Sequence, residues 1–270
     1  LKTHGTPCVY FIAPQFWAWR PWRARLVKRR FAKALCIFPF EEEFYRKAGV
    51  DAAFIGHPLV ESVKATAPRK EFLEKHGLDD GMPVVALLPG SRHNELAHNL
   101  GPILGACERI AQARPECQFL LALAPGITPE ALPIGLPKTL RAVVVENQTY
   151  DAVAAATVAV VSSGTATVET ALLGTPLVAI YKVAPVTALV LRALVTTPYF
   201  AMPNLIAGRK IVPELFQSEC NAKRIAEEAL HLLDSPAARE EMQRGLGEVR
   251  ARLGGGGAIE RAAEIIAQMM

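Results

Sequence analysis

The segment SSGTATVETALLGTP, residues 162–176, concentrates hydroxyl side chains and one carboxylate at the point where a predicted strand turns into a helix. Ser163, Gly164 and Thr165 fall where the backbone N–H groups of a helix N-terminus would face an anion. Glu169 follows Thr165 by one helical turn and lies on the same face. Phosphate at the turn and ribose hydroxyls on the glutamate form a consistent geometry for a nucleotide diphosphate. A purely structural turn would need only the glycine and one capping hydroxyl.

A second turn of similar chemistry lies in LLPGSRHNEL, residues 87–96. A buried strand ends at a Pro-Gly turn, and Ser91 and Arg92 follow it directly before a helix. A hydroxyl and a guanidinium at this position could contact a phosphate. The structural alternative is a plain strand-to-helix turn with an exposed arginine. Because ligands of open α/β sheets bind beyond the carboxyl ends of the strands, we expect both turns at one edge of a sheet.

A third stretch, MPNLIAGRKIVPE, residues 202–214, sets a Pro-Asn turn and a Gly-Arg turn around four apolar residues, which suits a pocket-lining loop. The sequence contains no Walker A sequence, no G-x-G-x-x-G and no Asp-x-Asp pair. We therefore expect no metal ion and no cofactor. Arginine, backbone N–H groups and the helix dipole would then meet the charge of a diphosphate.

The segment WAWRPWRARLVKRR, residues 17–30, contains all three tryptophans and a run of basic residues without an acid. Tryptophan beside arginine suits an anionic lipid surface, because the indole favours the membrane interface and the cation favours phosphate. A solvated helix face is the structural alternative. RNA could use the same features by stacking, but no other nucleic-acid motif accompanies them. We expect contact with a membrane through Trp17, Trp19, Arg20, Trp22 and Arg23.

Short apolar runs alternate with helical stretches along the chain, which predicts an α/β protein with parallel sheets whose strands are buried on both faces. A composition of 51% hydrophobic and 21% charged residues is that of a globular protein with a substantial core. The pattern is that of the end of one doubly wound domain, a linker, and a complete second domain. We predict residues 1–58 as the remnant of the first domain and residues 59–250 as the second.

No apolar run reaches the roughly 18 residues needed to cross a bilayer, and no signal peptide opens the chain. The first residues, LKTHGTPCVYF, lack methionine and read as the end of a helix followed by a strand. We therefore expect a cytoplasmic protein whose natural start lies earlier than this sequence.

Five stretches occur in an order that is typical of one enzyme family and cover nearly the whole chain: APQFWAWRPWR, FPFEEEFYRKAGVDAAFIGHPLVE, LLPGSR, SSGTATVETALLGTPLVAIYKV and PNLIAGRKIVPELFQ. Together they resemble the lipid-A-disaccharide synthase family, bacterial glycosyltransferases of GT-B fold. The resemblance implies two Rossmann-like doubly wound domains, of which the N-terminal one is incomplete here. It also implies that the last helix, in residues 251–270, crosses back to the N-terminal half.

The resemblance further implies an inverting transfer of the sugar of UDP-2,3-diacylglucosamine to 2,3-diacylglucosamine 1-phosphate, with release of UDP. Carried onto this sequence, it places the diphosphate and the remainder of the donor against Ser91, Arg92, Ser163, Gly164, Thr165, Glu169, Asn204 and Arg209. It implies a peripheral enzyme on the cytoplasmic side of the inner membrane, and a homodimer is plausible because truncation would leave an open sheet edge.

The family's proposed catalytic base lies in an N-terminal part that has no counterpart in this sequence. His57, at a strand end in IGHP, could be a base, a residue that orients another group, or an ordinary turn residue. Two alternatives therefore stay open. One is an isomerase similar to UDP-GlcNAc 2-epimerase, which would need acids in the cleft but no Trp/Arg segment. The other is a non-catalytic fragment that binds a UDP-sugar without turnover.

Overall fold

The computed structural model describes residues 6–184 and 197–269. These residues form two units. The first contains residues 6–62, 197–198 and 248–269, and the second contains residues 63–184 and 199–247. The sequence predicts boundaries after residues 58 and 250, whereas the chain contacts divide the units after Ser62 and Gly247.

The first unit contains a three-stranded parallel sheet in the order β1-β2-β3. Its strands are β1 (Val9–Phe11), β2 (Lys33–Cys36) and β3 (Ala52–Phe54). The last three residues of the central strand β2, Ala34–Cys36, are apolar and buried, as expected for a strand covered on both faces. Its helices are α1 (Phe16–Trp19), α2 (Ala24–Arg30), α3 (Pro39–Lys47), α4 (Leu59–Ser62) and α12 (Ala258–Ala267), and a 3₁₀ turn covers Pro21–Arg23.

The C-terminal residues of the chain pack beside strand β3. The His57 N–H donates to the carbonyl of Leu253 over 2.9 Å, and Arg261 Nε donates to the carbonyl of Ile55 over 2.8 Å. The Gly257 N–H donates to the carboxylate of Glu61 in α4. These bonds explain why α4 and the chain beyond residue 247 belong to the first unit.

The second unit contains a six-stranded parallel sheet in the order β6-β5-β4-β7-β8-β9. The first five strands in sequence match predicted apolar runs, and β9 is an additional edge strand. The bounds are β4 (Val84–Leu88), β5 (Gln118–Leu123), β6 (Ala142–Glu146), β7 (Val158–Ser162), β8 (Leu177–Tyr181) and β9 (Glu214–Phe216).

Strands β4 and β7 are neighbours at the centre of this sheet, with Leu87 opposite Val160 and Leu88 opposite Val161. From β4 the strand order runs outward in two directions, so β4 and β7 flank the point where the winding reverses. Ligands of such sheets bind at that point. The pairing register brings the turn after Leu88 beside the turn after Val161.

The helices of the second unit cover the sheet. They are α5 (Arg69–Lys75), α6 (His93–Ala113), α7 (Thr149–Ala155), α8 (Thr165–Leu173), α9 (Met202–Ala207), α10 (Ala222–Asp234) and α11 (Pro236–Arg252), whose last residues lie in the first unit. Helix α9 occupies the stretch where the sequence predicts a Pro-Asn turn. Pro203 fits in its first turn, where a missing N–H costs nothing. None of the helices in the described residues is long and apolar enough to span a bilayer.

Candidate active site

A cleft of about 770 Å³ lies at the carboxyl ends of β4, β5, β6 and β7, within the second unit. This volume is in the range of small-molecule sites. Two cations line the cleft, Lys64 and Arg92, together with three acids, Glu95, Asp151 and Glu169. Six of the residues predicted to bind a nucleotide diphosphate line it together: Ser91, Arg92, Ser163, Gly164, Thr165 and Glu169.

The turn after β4 is built around Gly90 and Glu95. Gly90 has a φ of +129°, and a Cβ atom there would lie 2.5 Å from Glu95 Oε2. The Ser91 N–H donates to Glu95 Oε2 over 2.8 Å, and Arg92 Nη1 donates to Glu95 Oε1 over 2.9 Å. The predicted hydroxyl and guanidinium therefore stand at the mouth of the cleft beside a carboxylate that the sequence interpretation had not used.

The turn after β7 presents the start of α8 to the cleft. Gly164 has a φ of +142°, a conformation that only glycine adopts easily. Gly164 and Thr165 are exposed, and the first N–H groups of a helix have no acceptor within the helix. They are available to an anion in the cleft, and the helix dipole favours that charge.

Ser163 differs from its predicted role. Its hydroxyl donates to the carbonyl of Phe200 over 3.0 Å, and its N–H donates to the carbonyl of Ile180 over 2.8 Å. Both donors are therefore used by the fold. Ser163 can only accept a hydrogen bond from a ligand, and the donors at this turn that the fold leaves unused belong to the residues after it.

Glu169 is paired with Tyr150, which the sequence interpretation did not identify. The Tyr150 hydroxyl donates to Glu169 Oε1 over 3.0 Å. Burial raises the pKa of Glu169, and the bond from Tyr150 partly offsets this rise. Burial and the adjacent carboxylate raise the pKa of Tyr150 to about 12, so the phenol remains a donor. Tyr150 directs one oxygen of Glu169 and leaves the other for a ligand hydroxyl.

Asn99 in α6 connects the two turns. Its side chain is buried, and Nδ2 donates to the carbonyl of Pro89 over 2.9 Å and to Ser162 Oγ over 3.1 Å. Pro89 precedes the Ser91 turn, and Ser162 precedes the Ser163 turn. One amide group therefore links the turn after β4 to the turn after β7, a role that no sequence pattern indicates.

Asn204 and Arg209 do not line the cleft. Asn204 is fully buried, where Oδ1 accepts from the N–H groups of Ile211 and Val212 over 2.7 and 2.9 Å. Its Nδ2 donates to the Val212 carbonyl and to Glu214 Oε1 over 2.9 and 2.7 Å. In this structure both polar atoms of the Asn204 side chain are used to close the loop after α9, and its contact with the donor stays a prediction. Arg209 is exposed in that same loop.

The predicted membrane-facing residues separate into two groups in the first unit. Trp19 and Trp22 are exposed, by 38% and 61%. The Arg20 guanidinium lies 4.2 Å from the centre of the Trp19 ring, and that of Arg23 lies 5.4 Å from Trp22. These pairs show the mixed apolar and cationic surface that the sequence predicts.

Trp17 belongs to the second group, because its indole faces inward. The Trp17 N–H donates to Glu41 Oε1 over 2.9 Å, and the ring packs edge-on against Phe40. Glu41 is fully buried, and burial raises its pKa to about 7 against three hydrogen bonds that lower it. In this structure the Trp17 ring and its N–H serve the packing of this unit, unlike the rings of Trp19 and Trp22, and contact of Trp17 with a membrane stays a prediction.

His57 has the features of a turn residue. Its Nδ1 accepts the N–H of Leu59 over 3.2 Å, and burial lowers its pKa to about 4. The imidazole is therefore neutral at neutral pH and organises the turn into α4. Of the three roles that the sequence left open, this geometry supports the structural one.

Comparison with known proteins identifies one family over nearly the whole chain. The family model described as lipid-A-disaccharide synthetase matches residues 1–268. The lipid-A-disaccharide synthase of Myxococcus xanthus is 41% identical over 271 aligned residues, which cover 100% of this chain and 71% of that protein.

Two solved structures share the fold. The UDP-GlcNAc 2-epimerase of Neisseria meningitidis, solved with UDP-GlcNAc bound, is 15% identical with a TM-score of 0.65, and the match covers 98% of this chain and 71% of that one. WaaG, a glycosyltransferase involved in lipopolysaccharide biosynthesis, is 13% identical with a TM-score of 0.54, covering 86% and 62%. At these identities the likeness shows the fold alone. The predicted α/β fold of GT-B type is confirmed.

The epimerase alternative thus has support from fold similarity only, whereas the synthase reading has support from sequence over the whole chain. The predicted activity, that of a hexosyltransferase in lipid A synthesis, is confirmed at the level of the family. The chain belongs to the lipid-A-disaccharide synthetase family of glycosyltransferases.

Proposed function

We propose that the cleft of the second unit binds the UDP-linked sugar donor, with the diphosphate at the turns after β4 and β7 and the ribose on Glu169. The observation that carries this proposal is the meeting of both turns in one cleft, where Arg92 and the N-terminus of α8 supply positive charge. Tyr150 supports the ribose assignment, because it leaves one oxygen of Glu169 unused by the pair.

The proposed substrates are those of the family, UDP-2,3-diacylglucosamine as donor and 2,3-diacylglucosamine 1-phosphate as acceptor. The acceptor hydroxyl attacks the anomeric carbon from the face opposite the diphosphate, so the configuration inverts. The bond from that carbon to the phosphate oxygen breaks, and its electron pair leaves with UDP. Arg92 and the first N–H groups of α8 stabilise the charge that develops on the leaving diphosphate. The proton of the acceptor hydroxyl passes to a general base, which the family resemblance places in a part of the enzyme outside this sequence. We therefore assign no general base to the described residues of the cleft.

We also propose that the first unit docks on an anionic membrane surface, on the cytoplasmic face of the inner membrane. Trp19 and Trp22 are accompanied by two further exposed apolar residues, Phe11 and Ile12, whose side chains are 43% and 42% exposed. Interfacial aromatics with neighbouring cations bind such surfaces. A homodimer is a further proposal, for which the exposed Ile259 of α12 gives some support; sedimentation equilibrium tests it.

Calorimetric titration of UDP tests the donor site. We expect the parent chain to bind UDP and the double variant Arg92→Ala, Glu169→Ala to lose measurable binding, because both the phosphate and the ribose contacts are removed. The matched control is Glu108→Ala, Arg109→Ala, which removes the same side-chain types from an exposed part of α6. Equal binding by the parent and the cleft variant, with both folded, would contradict the proposed site.

A further inference from the structure

The carboxylate of Glu95 already engages the donors that a ligand phosphate would need. Its Oε2 accepts the Ser91 N–H over 2.8 Å, and its Oε1 accepts Arg92 Nη1 over 2.9 Å. A carboxylate and a phosphoryl group both offer two or more anionic oxygens to such donors. Glu95 therefore stands in the position of an anionic ligand within the turn after β4.

The packing around Glu95 holds this carboxylate more firmly than the guanidinium. The Glu95 side chain is 23% exposed and lies against Gly90, while the Arg92 side chain is 80% exposed. Burial and the Glu95 carboxylate raise the pKa of Tyr181, at the end of β8, and Arg92 lowers it, so this phenol lies within electrostatic reach of the pair. Exposed ion pairs are weak, so the bond between Arg92 and Glu95 can be exchanged for another anion.

We propose that Glu95 is an internal stand-in for a phosphate of the ligand, which competes with the diphosphate for Ser91 and Arg92 and is displaced when it binds. This inference rests on the proposed donor site. It makes Glu95 a residue that sets affinity and selectivity, because a neutral or weakly charged ligand cannot displace the carboxylate. The diphosphate can displace the carboxylate, because it carries more charge and more acceptor oxygens.

The competition has a measurable consequence. When the binding-competent form is only a fraction of the molecules, the apparent Kd rises by the inverse of that fraction. Glu95→Gln keeps the shape of the side chain but retains only one acceptor oxygen and no charge, so it cannot hold both donors. We expect the Kd for UDP to fall roughly fivefold to tenfold in this variant. The Kd for uridine, which has no phosphate, should be unchanged.

Calorimetric titration with UDP and NMR titration with uridine, on the parent and two variants at one salt concentration, test this inference. Glu108→Gln removes the same charge from an exposed position of the same helix and should bind both ligands as the parent does. Thermal unfolding checks that Glu95→Gln is folded, and Glu95→Ala replaces it if it is not, since that variant also releases both donors.

The outcomes separate the two proposals. Tighter binding of UDP without a change for uridine supports the stand-in role of Glu95. Unchanged or weaker binding of UDP in the variant would show that Glu95 instead orients Arg92 toward the ligand. An equal gain in affinity for uridine would show that Glu95 acts on a part of the site that does not contact the phosphates. Both results overturn the inference and leave the donor site intact. Failure of the parent and of every variant to bind UDP would overturn the donor site itself.

Discussion

Glu169, the residue that we place on the ribose, lowers the stability of the folded protein although it is paired with Tyr150. Glu169 lies at the middle of α8 and is partly buried, and its pKa is raised chiefly by the loss of water around the carboxylate. One phenol hydrogen bond does not fully replace that water. Residues kept for binding often reduce stability in this way.

Glu169→Gln should therefore stabilise the protein while it weakens UDP binding. A carboxyl whose folded pKa is raised contributes stability below its unfolded value, near 4.5, and loses it as the pH rises through the folded value. The amide carries no such penalty, so at pH 7 we expect the free energy of unfolding to rise by about 0.5–1 kcal/mol. We expect the Kd for UDP to rise roughly tenfold, because one charge-assisted bond is lost.

Thermal unfolding of the parent and the Glu169→Gln variant between pH 4 and pH 8 measures this effect. The difference should be largest at neutral pH and should vanish below the ordinary pKa of the carboxyl. Glu108→Gln, on an exposed surface, should show no such pH-dependent difference. A variant that is less stable than its parent at pH 7 would mean that the Tyr150 bond outweighs the burial.

At the scale of elements, the strands and the meeting of the turns after β4 and β7 at one edge of the sheet could be predicted, while the side chains that support these turns could not. The run at Val84–Leu88 is apolar at every position, and Gly164 follows a similar run, so period and glycine placement indicate strand and turn. Tyr150 and Asn99 bond to residues in other elements, Glu169 and Ser162. The hydrophobic periodicity of a sequence describes single elements and gives no information about such contacts. The family resemblance assigns Asn204 to the donor, and its local sequence does not reveal that the amide closes the loop after α9.

The link made by Asn99 between the two turns predicts a selective loss of phosphate affinity. Asn99→Ala leaves the Pro89 carbonyl and the Ser162 hydroxyl without their donor, while it also removes Oδ1, a buried oxygen that has no partner among the described residues. We expect a loss of stability of about 1–3 kcal/mol. We expect UDP binding to weaken several-fold and uridine binding to change little, since only the phosphate-facing turns lose their spacing.

Asn99→Asp sharpens this experiment, because an ionised carboxylate has the same shape but no donor. It should bind UDP no better than Asn99→Ala. Asn94→Ala, at an exposed position of the same helix, is the matched control and should bind as the parent does. Binding by Asn99→Asp that equals the parent's would show that the Nδ2 bonds do not set the turns. Calorimetric titration with UDP and with uridine measures the two Kd values of the parent and of each variant.

At the scale of the whole molecule, an enzyme that acts on a lipid-linked sugar nucleotide requires a polar cleft for the nucleotide and a surface that contacts lipid. We propose that these tasks are divided between the units, because the cleft lies in the second and the exposed tryptophans lie in the first. The sequence indicates by composition which segment we propose to meet lipid, residues 17–30. The sequence could not distinguish Trp17 from Trp19 and Trp22. Trp17 packs inward on Glu41, which lies 24 residues later in the chain, and a local pattern does not report such a contact.

Vesicle binding tests this division of tasks. We expect the chain to co-sediment with vesicles that contain phosphatidylglycerol and to bind far less to pure phosphatidylcholine, with the difference reduced by salt. Arg20→Gln, Arg23→Gln should weaken binding roughly thirtyfold, at about 1 kcal/mol for each cation near the surface. Trp19→Ala, Trp22→Ala should weaken it as well, because the exposed rings no longer enter the interface.

The paired control is Met82→Ala, Ile134→Ala, which removes exposed apolar side chains from the second unit and should leave vesicle binding unchanged. Trp17→Phe should lower stability, since the bond to Glu41 is lost, without affecting binding. UDP affinity should be the same for the parent and the Trp19, Trp22 variant, because the cleft is untouched. If the tryptophan variant bound vesicles as the parent does, the exposed rings would have to serve a protein partner, and the acylated substrates would have to reach the enzyme through another surface.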